Sequence, residues 1–363
     1  MMYNPYKKEN LYIAGPECFY NRGYSLWYSQ RQLAEYYGFN VVLPTSTQYK
    51  LDNEDLRLNA DEIFTDLIAQ VEKTTTIIAD LEFFRGCEPD SGTVFEIGWI
   101  YAQGGKCYGY TKDLRPMVFK NHNAKVVNNR VVDEYGWTHP YSALPFCPSL
   151  CASTKIIEGS YENCLKSFIE DITEEKRVNY LYGESNKKPT IKSSKKETDQ
   201  KTVYISSPYR YKDGAASYFA KIKEKYEVFG YKAVSSLDGG EKSNNEDPLF
   251  DAVVNFKNRM ALIDSSDYIV ANLNGFHGLE TNNDVSFECG YAYAKGKKLI
   301  GLLDDNRVMR DKIPSLANNG FDIYDNTIEN FNYPINLMFA CTMDILQKNE
   351  LEHIDEIIKK LES

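Results

Sequence analysis

Histidine is scarce in this chain, four in 363 residues, and none of the eight cysteines forms a Cys-x-x-Cys pair. The ligand spacings of zinc sites and disulfide frameworks are missing, so neither metal nor cofactor is expected. Positive charge is also short. Lys and Arg number 42 against 52 Asp and Glu, a formal charge of −10. Proteins that grip nucleic acid or anionic membranes need the opposite balance, so neither is expected as a partner. No apolar run approaches the roughly 20 residues that span a bilayer. The first ten residues lack the apolar core of a secretion signal, and a cytoplasmic location is expected. What is present is ordinary globular material, 42% apolar and 26% charged. Its length implies two domains or one large α/β domain.

The chain repeats itself. Leu11-Tyr-Ile-Ala-Gly-Pro-Glu17 returns as Val203-Tyr-Ile-Ser-Ser-Pro-Tyr209, an offset of 192 (203 − 11). The same offset carries Gly38 to Gly230, Asn53-Glu54-Asp55 to Asn245-Glu246-Asp247, and Phe95-Glu96 to Phe287-Glu288. Over residues 11–115, laid without gaps, about 30 of 105 positions are identical; chance gives roughly six, which marks an internal duplication. Between the copies, residues 183–201 are polar and rich in Lys, Ser and Thr, with no apolar period. They read as a solvated linker between domains at 1–182 and 202–363.

Each copy alternates strand and helix. In the first, strands are expected at 11–14, 40–43, 75–81 and 107–110, with helices at about 24–37, 56–73 and 92–103, the last stopped by Gly104-Gly105. Four strands alternating with helices make a parallel sheet covered on both faces. Ligands of such folds bind beyond the carboxyl ends of the strands, where Gly15, Asp90 and Glu96 fall. Asp90 and Glu96 flank a Ser-Gly turn that begins a helix, and both can face that cleft. Spacing alone also allows a helix-capping Asp90 and a solvated first-turn Glu96.

Tyr12-Ile-Ala-Gly-Pro, Asp90-Ser-Gly-Thr-Val-Phe-Glu96-Ile-Gly and the Ala-x-Gly-x-Lys that follows resemble the nucleoside 2-deoxyribosyltransferases. The resemblance runs through both copies. It implies two tandem flavodoxin- or Rossmann-like doubly wound domains packed as a pseudo-dimer, with higher assembly open. It also implies transfer of a 2-deoxyribosyl group between free nucleobases, with 2′-deoxynucleosides as partners. Glu96 matches the nucleophile that forms a deoxyribosyl ester, and Tyr12 the tyrosine that orients it. Asp90 matches a carboxylate near the sugar hydroxyls. Asp66 matches a helix carboxylate that protonates the leaving base, and Gln48 a glutamine that reads the base.

The second copy keeps Glu288 and Tyr204, but Asp66 becomes Asn258 and Asp90 becomes Asn282. Asn supplies neither a proton nor a charge at neutral pH, so this second site is expected to be degenerate. The tails differ in the opposite sense. Asn336-Leu-Met338 resembles the motif that family members donate across a subunit interface to the neighbour's sugar site. The first copy carries Cys147 and Ser149 at the matching places, an offset of 189 (336 − 147). If the copies pack as the family's subunits do, these complementary losses leave one complete site, built by the first copy and finished by Asn336 and Met338; independent drift, or Asn336 as a helix cap with Met338 in the core, is the alternative. The expected activity is deoxyribosyl transfer in nucleoside salvage. The alternatives are an N-glycosidase of deoxynucleoside 5′-monophosphates and a nucleoside sensor without turnover.

Overall fold

The computed structural model describes residues 9–44, 49–121, 124–139, 143–182, 200–238, 247–317 and 319–363. Gln48 and most of the expected linker, 183–199, lie outside the described residues.

Two five-stranded sheets carry the chain. The first contains β1 (Asn10–Ala14), β2 (Asn40–Val42), β3 (Thr76–Asp80), β4 (Lys106–Thr111) and β5 (Lys155–Glu158), in the order β2-β1-β3-β4-β5. The second contains β6 (Thr202–Ser206), β7 (Lys232–Ser235), β8 (Tyr268–Asn272), β9 (Lys298–Leu302) and β10 (Asp344–Leu346), in the order β7-β6-β8-β9-β10. Every pairing within them is parallel, and the order is that of a flavodoxin-like doubly wound sheet. The expected strands appear within two residues of their anticipated ends. The fifth strand of each sheet was not expected, because β5 and β10 are short edge strands with no fully buried residue.

Helices α1 (Gly23–Tyr36), α2 (Leu56–Val71) and α3 (Ser91–Ala102) cover the first sheet, followed by α4 (Pro148–Ser153) and α5 (Tyr161–Tyr182). Their counterparts in the second half are α6 (Ala215–Val228), α7 (Pro248–Ser265), α8 (Asn283–Ala294), α9 (Leu337–Ala340) and α10 (Ile354–Glu362). Helix α3 is buried on every side from Ser91 to Ile100, and α8 from Asn283 to Ala292. An amphipathic surface helix buries one stripe; these two bury all of theirs because each lies between its own sheet and the other half.

The two helices cross at glycines. A Cβ on Gly98 would stand 2.2 Å from the Phe287 carbonyl oxygen, and one on Gly290 would stand 1.9 Å from that of Phe95. The duplicated Phe-Glu-x-Gly run therefore serves packing: the missing side chains let the backbones meet. Around this crossing, one apolar core holds Phe95, Trp99, Phe287 and Tyr291 of both halves, while the outer face of each sheet has a separate core.

Caps are exchanged across the same interface. Glu280 Oε2 accepts from the Ser91 amide at 3.2 Å and its hydroxyl at 2.5 Å, at the start of α3. Glu88, its equivalent at offset 192, accepts from the Asn283 amide at 2.5 Å, at the start of α8. Each half thus supplies a carboxyl cap to the amide-bearing end of the other's central helix.

Candidate active site

The first half bears a cavity of about 460 Å³ beyond the carboxyl ends of β1 and β3. Its floor and first wall include Gly15, Tyr49, Asp90, Thr93 and Glu96, and the opposite wall is Glu329, Asn336, Leu337 and Met338 from the second half. Elements more than 230 positions apart in sequence thus enclose one space.

Tyr12 sits on β1 with no exposed surface, and its hydroxyl donates to Glu96 Oε1 at 2.7 Å. Glu96 is in the second turn of α3 and is 6% exposed, through the cavity it lines. Burial pushes its pKa up to about 8; the Tyr12 hydrogen bond opposes this and the Asp90 charge adds to it. Burial likewise lifts Tyr12 well above the usual tyrosine range, so it remains a hydrogen-bond donor.

Asp90 combines the two roles that spacing left open. Its Oδ2 accepts from the Thr93 amide and hydroxyl, both at 2.7 Å, which caps α3. The same side chain lines the cavity, and burial raises its pKa against those bonds. A cap fixed this way has few rotamers left, so the carboxyl is held in place before any ligand arrives.

Asn336 caps the short α9 through its Oδ1, which accepts from the Met338 amide at 2.9 Å. It comes so close to α3 that a Cβ on Gly92 would stand 3.0 Å from its amide atoms. Gly92 therefore makes room for the donated loop. Asp66 is not among the residues that line the cavity. The wall formed by α2 is Leu56, Asn59, Ile63 and Leu67. Asp66 is tied to the cavity through Tyr49, whose hydroxyl donates to the carboxyl Oδ2 at 2.7 Å. Asp66 thus stands one residue behind the cavity lining.

The matching space in the second half is filled. Tyr204 still donates to Glu288, at 3.1 Å, and Asn282 still caps its helix, accepting from the Val285 amide at 3.3 Å. Glu288 also accepts from Ser206 at 2.5 Å, Arg210 at 3.2 Å and Arg259 at 2.5 Å. Arg259 further donates to Asp284 at 3.0 Å and to the Ser149 hydroxyl at 3.0 Å. Tyr211 donates to Asp284 as well. Burial would raise the Asp284 pKa, but Arg259 and Arg210 hold it well below the usual carboxylate range. Two arginines and two carboxylates, all nearly or wholly buried, occupy the ground where the first half is hollow.

The degeneracy expected from the sequence rested on Asn258 and Asn282; the structure adds this buried ionic cluster beside them. At offset 192, Arg210, Arg259 and Asp284 replace Cys18, Leu67 and Gly92, all of which line the open cavity. That exchange of small or apolar residues for charges was readable beside the motif. The tails agree with it. Cys147 precedes α4 with no side-chain cap, and Asp284 reaches across instead to accept from the Ser149 amide at 2.9 Å. Sequence reasoning also passed over Tyr49, Glu280 and Glu329, which lie outside the run that carries the resemblance.

Among the described residues no group of three or more His, Cys, Asp and Glu could hold a metal ion, and no helix is long and apolar enough to cross a membrane. The nucleoside 2-deoxyribosyltransferase family model matches this chain twice, over residues 11–143 and 203–338. Among solved structures, a 2-desoxiribosyltransferase from Leishmania mexicana is 29% identical, covering 45% of this chain and 97% of its own, at TM-score 0.36. A UDP-GlcNAc 2-epimerase from Neisseria meningitidis is 12% identical, covering 98% and 92%, at TM-score 0.23. No curated protein matches the chain.

Proposed function

Because this chain belongs to the nucleoside 2-deoxyribosyltransferase family, we propose that its open cavity moves a 2-deoxyribosyl group between nucleobases in nucleoside salvage. The observation that carries the reading is the Tyr12–Glu96 hydrogen bond at 2.7 Å, on the floor of a cavity closed by Asn336 and Met338. A buried carboxyl with one orienting donor and an open face suits a nucleophile. A Glu96 oxygen forms a bond to C1′ as the C1′–N bond breaks, and that electron pair leaves with the base. The base takes up a proton as it leaves. A relay on the side of α2 can deliver it, a protonated Asp66 donating to the Tyr49 oxygen as Tyr49 donates to the base, and the same relay run backwards takes the proton that the second base gives up. The nitrogen of a second base then attacks C1′, releases the Glu96 carboxylate and completes a two-step retaining exchange. Asp90 bears on the cationic sugar between the two steps.

In this reading residues 1–182 form the catalytic domain, 183–201 the linker, and 202–363 a domain whose own site is plugged and whose Asn336-Leu-Met338 completes the first. The plug explains why one chain carries one working site. Arg310, exposed beside the cavity, is the one cation among its described lining residues and would favour a phosphorylated substrate. The carboxyls of Asp90, Glu96 and Glu329 oppose that choice. Incubation of deoxyinosine with adenine tests the reading. Deoxyadenosine is the expected product; free deoxyribose alone would indicate a hydrolase, and no product would indicate a binding protein.

A further inference from the structure

The wall donated by the second half holds an acid with no role so far, Glu329. It precedes α9, is half-buried and lines the same cavity as Asp90 and Glu96. Its Oε2 accepts from the Leu337 amide at 3.1 Å, and its Oε1 meets Asn336 Nδ2 only at 3.4 Å. One carboxyl oxygen is therefore weakly engaged at the edge of the cavity. Burial and then the nearby Asp90 push the Glu329 pKa up to about 8, and Glu280 is pushed up to about 7 by the same two causes. Arg85 is the cation that acts on all three acids, and it is already committed to Asp322 at 2.9 Å and to the Thr327 carbonyl at 2.8 Å. Another anion here would meet crowded carboxyls and a spent cation. A neutral hydroxyl can both donate to a carboxylate and accept from a carboxylic acid.

We propose that Glu329 is a substrate-binding residue that, with Asp90, holds a hydroxyl of the deoxyribose and turns away a sugar phosphorylated at that hydroxyl. This rests on the reading of the cavity as a deoxynucleoside site. The rival role is purely structural, in which Glu329 only braces Asn336 and Leu337. Bracing would affect every substrate alike, whereas a hydroxyl contact disappears with the hydroxyl.

The test compares wild type, Glu329→Ala and Glu329→Gln on deoxyadenosine, 2′,3′-dideoxyadenosine, 2′,5′-dideoxyadenosine and deoxyadenosine 5′-monophosphate, with a labelled base as acceptor. Glu329→Ala should lower kcat/KM on deoxyadenosine about ten- to hundredfold, but less than about threefold on the one analogue lacking the hydroxyl it holds. Glu329→Gln, which keeps the shape and removes the acid, should narrow the wild-type preference for nucleoside over monophosphate by about tenfold, and it carries the test if the alanine variant does not fold. Equal losses on deoxyadenosine and both dideoxy analogues would overturn the proposal, as would a wild type indifferent to the phosphate. If wild type converts no deoxynucleoside, the transferase reading fails separately. Calorimetry with deoxyadenosine then decides: binding about tenfold weaker in Glu329→Ala supports the contact, and equal or absent binding refutes it.

Discussion

Replacing Arg259 by leucine, the residue at the matching place in the first half, should destabilise the protein without touching the open cavity. Arg259 is 3% exposed and donates to Glu288 at 2.5 Å and to Asp284 and Ser149 at 3.0 Å. Its removal leaves two wholly buried carboxylates to share Arg210. Taking one partner from a buried ion pair typically costs about 3–5 kcal/mol. The entropy of unfolding is about 2.1 cal/mol/K per residue, or roughly 0.76 kcal/mol/K for this length, so Tm should fall by about 4–7 °C. The sign with pH follows from Asp284. Its depressed pKa lends stability that is present above the unfolded value and is lost as pH falls through the folded one. The gap between wild type and Arg259→Leu should therefore narrow towards acid. The pair Arg259→Leu with Glu288→Leu should cost less than the sum of the two single changes, since no orphan charge remains. Thermal melts over a pH series, beside base exchange at 25 °C, make the measurement. An unchanged Tm would refute the buried-plug account, and a loss of exchange in folded Arg259→Leu would show that the plugged site itself takes part in chemistry.

Glu96→Ala should remove base exchange by several orders of magnitude, with no deoxyribosyl adduct on the protein by mass spectrometry. Glu288→Ala should leave exchange intact but lower Tm, which separates a nucleophile from a structural charge. Asn336→Ala should reduce kcat/KM about ten- to hundredfold if it holds a sugar hydroxyl, whereas Cys147→Ala should be nearly silent in the same assay. Glu96 must be ionised to attack, and burial holds its pKa up to about 8, so kcat/KM should fall about tenfold per pH unit below that value; a flat profile from pH 6 to 8 would contradict it. The raised acids have the opposite effect on stability. Glu96 and Glu329 near 8 and Glu280 near 7 bind more protons folded than unfolded, so their contribution declines as pH rises from the unfolded value through the folded one. Glu329→Gln should flatten that part of the Tm–pH curve.

The halves and their sheets were legible because a repeat of whole strand–helix units leaves its period in the sequence. Central strands announced themselves as short apolar runs, and α3 by Asp90 at its cap and Gly104 past its end. The edge strands β5 and β10 did not, since edge residues need no apolar pattern. At the site, Tyr12, Gly15, Asp90, Glu96, Asn336 and Met338 were legible because each belongs to a short local motif, and the fold then brings those motifs together. Asp66 stands behind Tyr49, a residue from another segment of the chain that lines the cavity, and motif matching does not show such an intervening side chain. Arg210, Arg259 and Asp284 each stand out at offset 192 as charges in place of Cys18, Leu67 and Gly92, but that the three meet in one cluster is a matter of tertiary contact.

The crossing of α3 and α8 puts an approximate two-fold axis inside a single polypeptide. In an assembly of two identical chains, every substitution is made on both sides of such an axis at once. An arginine at position 67 would then stop both cavities, and an aspartate at position 92 would collide with both donated loops. Within one gene the two sides mutate independently. Leu67 and Gly92 can stay while Arg259 and Asp284 arise opposite them, and the lost cavity is exchanged for a fixed ionic brace. Such halves diverge as duplicate copies of one fold held in permanent contact, each constrained by what the other has given up.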